Sequence, residues 1–213
     1  MHRRIRVVLL SATVAVIGLS LAACSPANGP AATPSSSSPL PSPSATPTPS
    51  DRTVEVSVEG LAIDGGAVIG YADSDAAIAA LTDAFGSAPT EGSVEGPYGS
   101  VYAGFDWDGT KATVGETRFD VVVSADAPGV TFLTPEGLGI GSTRADAVAA
   151  GAEDEWDEDG DGTADYLKIG MREVPDTVSL VHPGEVGVEY ITLQITDDVI
   201  TRISSGGNDF SDI

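Results

Sequence analysis

Charge is segregated along this chain, and that segregation fixes where a fold can form. The first 24 residues hold three of the ten basic residues (Arg3, Arg4 and Arg6) and no acid. Residues 25–50 carry no charge and no aromatic side chain, but eight Pro and eight Ser. With almost nothing to bury, such a stretch does not offset the entropy of ordering. All 32 acids therefore fall in residues 51–213 beside seven basic residues, so this part has a net charge of 7 − 32 = −25. A body of that sign repels nucleic acid and anionic lipid surfaces. The foldable part spans 213 − 50 = 163 positions, enough for one medium domain or two small packed halves.

The N-terminus reads as an address. Arg3, Arg4 and Arg6 precede an apolar run from Val7 to Leu21, then small residues, which is the layout of a secretory signal peptide. The run is short for a membrane span, which takes about 20 apolar residues. Arg3-Arg4 lacks the flanking residues of a twin-arginine signal. Leu21-Ala22-Ala23-Cys24 resembles the lipobox of bacterial lipoproteins. That resemblance implies a signal peptide over 1–23, a diacylated Cys24 as mature N-terminus, and attachment to the extracytoplasmic face of the bacterial membrane. Plain cleavage with an incidental Cys, or an uncleaved anchor, are the alternatives. Residues 24–50 would then be a lipidated Cys and an extended tether, reaching roughly 80 Å at about 3.1 Å per residue. Its Ser/Thr-Pro pattern is also compatible with O-glycosylation. Tether and composition together resemble a lipoprotein of a high-GC Gram-positive bacterium.

Within the body the periodicity is mostly that of strands. Thr53 to Val58, Phe119 to Val123 and Tyr190 to Ile195 alternate with period two. Asp108-Gly109 and Asp197-Asp198 have the chemistry of hairpin turns. Two short helices interrupt: one from Asp73 to Gly86, with Ile78, Leu81 and Phe85 on one face, and one opened by a Thr143–Asp146 capping box and closed at Gly151. Gly60-Leu61-Ala62-Ile63 before the first helix is echoed by Gly137-Leu138-Gly139-Ile140 before the second, 137 − 60 = 77 residues later. The expected class is α+β, with antiparallel sheet and two short helices in a degenerate tandem duplication, the halves being 51–129 and 130–213. The helix start after Gly137 and the final strand pair around Asp197 resemble β-lactamase-inhibitory-protein-like and BamE-like exported modules. The resemblance implies helices over one face of an antiparallel sheet, and protein binding without chemistry. An Ig-like sandwich fits less well because of the helices.

One chemical signature stands out. Asp157, Asp159, Asp161, Gly162 and Asp165 fit D-x-D-x-D-G-x-x-D. Ca²⁺ takes six to eight hard oxygens, and alternate Asp residues in a tight loop can turn three carboxylates inward. The carbonyl of Thr163 would add an oxygen, Asp165 another directly or through water, and water or a nearby acid such as Glu153 or Glu155 a sixth ligand. An EF-hand would have Glu at the twelfth position, where this chain has Lys168, and Tyr166 to Ile169 reads as a strand. The loop is therefore similar to the calcium hairpins of FG-GAP-type β repeats. The pairs Asp73/Asp75 and Asp106/Asp108 read as a helix start and a turn.

Catalytic constellations are missing from the sequence. Cys24 is the lipidation candidate, and His182, beside Pro183-Gly184, is the only His after the leader. No Ser-His-Asp set, zinc set or phosphate-binding Gly loop can be assembled. Phe105 and Trp107 share a strand face and are expected in the core. The reading is a lipid-anchored, extracytoplasmic, non-enzymatic interaction module with a structural Ca²⁺ loop, its partner an envelope protein or wall component. A carboxylate-dependent wall or glycan hydrolase and a small-ligand carrier are the alternatives.

Overall fold

The computed structural model describes residues 51–211, except Thr117 and the side chain of Pro97. The leader, Cys24 and the tether lie outside the described residues.

Twelve strands and two helices follow in order: β1 (Arg52–Ser57), β2 (Gly60–Ile63), β3 (Ile69–Gly70), α1 (Ser74–Phe85), β4 (Thr90–Glu95), β5 (Val101–Trp107), β6 (Thr110–Val114), β7 (Phe119–Val123), β8 (Val130–Leu133), α2 (Arg144–Ala149), β9 (Glu153–Trp156), β10 (Tyr166–Glu173), β11 (Val188–Thr196) and β12 (Val199–Asn208). They form a four-stranded sheet, β3-β2-β1-β8, and an eight-stranded one, β4-β5-β6-β7-β12-β11-β10-β9. All pairings are antiparallel except β1 with β8.

The expected turns are present. Asp108 (φ 39°) and Gly109 (φ 103°) join β5 to β6, and Asp197 (φ 51°) and Asp198 (φ 66°) join β11 to β12. Two successive positive φ values match the right-handed twist of the flanking strands, and Asp and Gly tolerate them. The Asp73 side chain caps α1, which ends at Gly86 in the left-handed conformation. The Thr143–Asp146 capping box opens α2. The six-residue α2 ends with Ala150 as its C-cap and Gly151 following at φ 99°, one residue short of the expected close.

A single core lies between the sheets. Val54 and Val56 of β1, Phe132 of β8, and Val121, Leu193 and Ile203 of the large sheet are fully enclosed in one cluster. On α1, Leu81 and Ala77 are buried, while Ile78 and Phe85 pack partly against the same cluster. Phe85 stacks on Trp107 with ring centroids 5.6 Å apart and meets Phe132 at 6.0 Å, so α1 ties β5 to β8. Trp107 is buried with Phe105 beside it, as the strand periodicity predicts.

The stretches 51–129 and 130–213 share this core, and β8 of the second joins the sheet of the first. The two Gly-Leu-x-Ile segments differ in structure. Gly60–Ile63 is strand β2, whereas Gly137 to Ile140 is a turn held by Thr134 and Ser142. No helix among the described residues is long and apolar enough to cross a membrane.

Candidate metal centre and open sheet face

The acidic run connects β9 to β10, so it joins two antiparallel strands and has no flanking helices. Gly160 (φ 74°) and Gly162 (φ 92°) supply the left-handed turns that let the chain reverse. Each of the four Asp side chains is fixed by a backbone N–H. Asp157 Oδ1 accepts from Gly160 at 2.8 Å and its Oδ2 from Gly162 at 2.9 Å. Asp159 Oδ1 accepts from Asp161 at 3.0 Å, and Asp161 Oδ1 from Thr163 at 2.8 Å. Asp165 Oδ2 accepts from Glu158 at 2.8 Å, which closes the loop onto its own start.

This wiring brings one oxygen each from Asp157, Asp159 and Asp165 within 4.8 Å of one another. Oxygens at about 2.4 Å from a common Ca²⁺ can be at most about 4.8 Å apart, so the three fit one coordination sphere. Asp161 and Thr163 are exposed neighbours of this trio. With Glu158 and Asp165 they line a cleft facing Thr196, Asp197 and Asp198 at the β11–β12 turn. The suggested extra ligands are turned elsewhere. Glu153 pairs with Lys168 at 3.7 Å, and Glu155 accepts from the Tyr190 hydroxyl at 2.8 Å. The bulge that shifts the β9–β10 register between Tyr166 and Leu167 explains the latter, because Glu155 drops out of the ladder. The base of the loop is anchored by buried Ala164 and by the Ile195 N–H, which donates to the Asp165 carbonyl at 2.7 Å.

A second candidate feature is a surface. Inward positions of the large sheet, such as Val121, Leu193 and Leu167, are enclosed by the core. Their outward neighbours Thr113, Val122, Ser204, Thr192 and Lys168 are half-buried. Trp156, 62 % exposed, stands at one edge opposite Tyr166, directly before the acidic loop. The strand alternation contained this face, but the joining of β7 to β12 that makes it continuous has no local signal.

The other residues singled out have structural roles. Asp73 caps α1, Asp108 sits in its turn, and Asp106 lies 3.8 Å from Lys111. His182 is in the exposed loop between β10 and β11.

Comparison with protein families, with curated proteins and with solved structures gave no match.

Proposed function

We propose that this chain is a lipid-anchored, extracytoplasmic, non-enzymatic binding module whose docking surface is the outward face of the eight-stranded sheet. The observation that carries this reading is that face, eight strands wide, whose outward positions are only half-buried among the described residues. A sheet face without a covering layer is expensive to maintain unless its side chains are polar or engaged, and here they are mixed. The lipobox-like Leu21 to Cys24 and the uncharged Pro/Ser tether support display at the membrane exterior. Two acyl chains on Cys24 would suffice for stable attachment, at roughly 0.8 kcal/mol per buried methylene.

In this reading a structural Ca²⁺ is held by Asp157, Asp159 and Asp165, with Asp161 and the Thr163 carbonyl beside them. The ion would offset the mutual repulsion of the carboxylates and fix β9, the edge strand that presents Trp156. We also read the body as a degenerate duplication. Its support is the strand order, two four-stranded meanders, each preceded by a helix, that meet at β7 and β12. The parallel β1–β8 pairing departs from strict two-fold symmetry. The similarity to exported modules of the β-lactamase-inhibitory-protein-like and BamE-like type remains an expectation of the sequence.

A photo-crosslinking residue at Thr113 on the open face, compared with one at Thr131 on the outer side of β8, tests the function in the native membrane. Capture of an envelope protein or wall polymer from position 113 alone is the expected result. Equal capture from both positions, or from neither, contradicts it. A second reading, a carboxylate-dependent glycan hydrolase, has one observation in its favour: Asp120 and Glu155 line the same cleft.

A further inference from the structure

The join between the two meanders is incomplete. The β7–β12 ladder has two registered pairs, Ile203 with Val123 and Ser204 with Val122. Beyond them the Ser205 side chain takes over, its Oγ accepting the Val121 N–H at 2.8 Å. Gly206 then turns away at φ 89°, where a Cβ would stand 2.5 Å from Asp120 Oδ1. Gly207 leaves room for the Tyr190 ring, which a Cβ would meet at 2.6 Å. Glycines inside a strand mark bulges and places of close approach. Here they open a cleft of about 480 Å³ on the open face. That volume lies within the range of small-molecule sites, about 300–1,000 Å³.

The walls of the cleft offer donors and acceptors side by side. Arg118 lies over the Tyr71 ring at 5.2 Å, with its Nε 2.7 Å from Asp120 Oδ1. Those two atoms are buried in an ion pair, while the Asp120 side chain as a whole is 37 % exposed. The Tyr190 hydroxyl is committed to Glu155, with Thr192 beside them. Asn208 and Ser211 complete the rim. Arg118 offsets Asp120, and Lys168, which pairs with Glu153, acts only weakly on Glu155, so the lining keeps about one net negative charge. The surrounding charge of 7 − 32 = −25 disfavours anionic ligands. A sugar hydroxyl donates and accepts at once, which suits paired carboxylate, guanidinium and hydroxyl groups.

We propose that the cleft between β7 and β12 binds a neutral saccharide unit, an inference that rests on reading the open face as a docking surface and names its ligand class. The test is a ¹H–¹⁵N titration of the full body with glucose, N-acetylglucosamine and its β-1,4 disaccharide, and with N-acetyl-lysine amide as an amine control. Saturable shifts with at least one sugar, confined to amides of 118–122, 190–192 and 204–211, are expected. Asp120→Asn should weaken the binding by about tenfold, the equivalent of one hydrogen bond. Ser211→Tyr fills the exposed rim without touching the core and should abolish it. No saturable shift with any sugar, unchanged affinity in both variants, or binding of the amine alone overturns the proposal. Cleavage of the disaccharide would uphold the saccharide site and overturn the non-enzymatic reading instead. A negative titration leaves the crosslinking test of the face standing.

Discussion

Ser205 Oγ accepts the backbone N–H of Val121 at 2.8 Å, across 84 residues of sequence and at the seam of the large sheet. A side chain thus does the work of a ladder carbonyl where β12 bends away from β7. Ser205→Ala removes the acceptor of a buried donor. It should cost about 1–3 kcal/mol, the penalty of an unsatisfied buried amide. Urea unfolding measures it, and a change under a few tenths of a kcal/mol would mean that the seam does not depend on this bond.

The packing of α1 gives a second prediction. Leu81 is fully enclosed, and Phe85 one turn later bridges Trp107 and Phe132. Leu81→Ala should cost about 2–5 kcal/mol, the range for a buried Leu whose cavity only partly collapses. The exposed Val148 on α2 provides a control, since Val148→Ala should be within about 0.5 kcal/mol of the parent.

Most of this was legible from local patterns, and what was not legible is long-range. The Asp108-Gly109 and Asp197-Asp198 turns, the Asp73 cap and the Thr143–Asp146 box are decided within four residues, so sequence reports them. The inward alternation of Phe119, Val121 and Val123 likewise gives the core face of β7. The four Asp positions of the acidic loop could be read, but not that Glu155 would bulge out towards Tyr190. The pairing of β7 with β12 and of β1 with β8 depends on contacts across about 80 residues, for which periodicity has no record. Gly206-Gly207 within the final strand was the available hint of the cleft, since adjacent glycines interrupt a ladder.

Acid response should divide between two groups of carboxylates. Burial opposes ionisation of Asp209, but hydrogen bonds from Ser179 and the Val188 N–H, with the charges of His182 and Lys168, outweigh it and hold the group below its ordinary value. Its contribution is present above the unfolded-state value, about pH 4, and is lost as pH falls through the folded one. Asp209→Asn should therefore lower stability at neutral pH and have a smaller effect at about pH 2. Desolvation raises Asp120, with Arg118 only partly opposing it, and desolvation likewise raises Glu155 against Tyr190, Thr192 and Lys168. Their contribution has the opposite sign, full below the unfolded value and lost as pH rises through the folded one. The stability difference between Asp120→Asn and the parent should thus move in favour of the variant from acid to neutral pH. Urea midpoints across that range check both signs.

The anchor has its own test. Cys24→Ala should shift the protein from the membrane fraction to the soluble envelope or medium. Retention of an unlipidated chain in the membrane would contradict a lipoprotein.

The most direct measurement is calorimetric titration of the body with Ca²⁺, read together with the fluorescence of Trp156 beside the loop. The account predicts a saturable one-site heat and a thermal shift, both lost in Asp157→Ala and Asp159→Ala, and a β9–β10 loop that loosens in EDTA while the core persists. No heat and no thermal shift at millimolar Ca²⁺, with the loop equally ordered in EDTA, would contradict it.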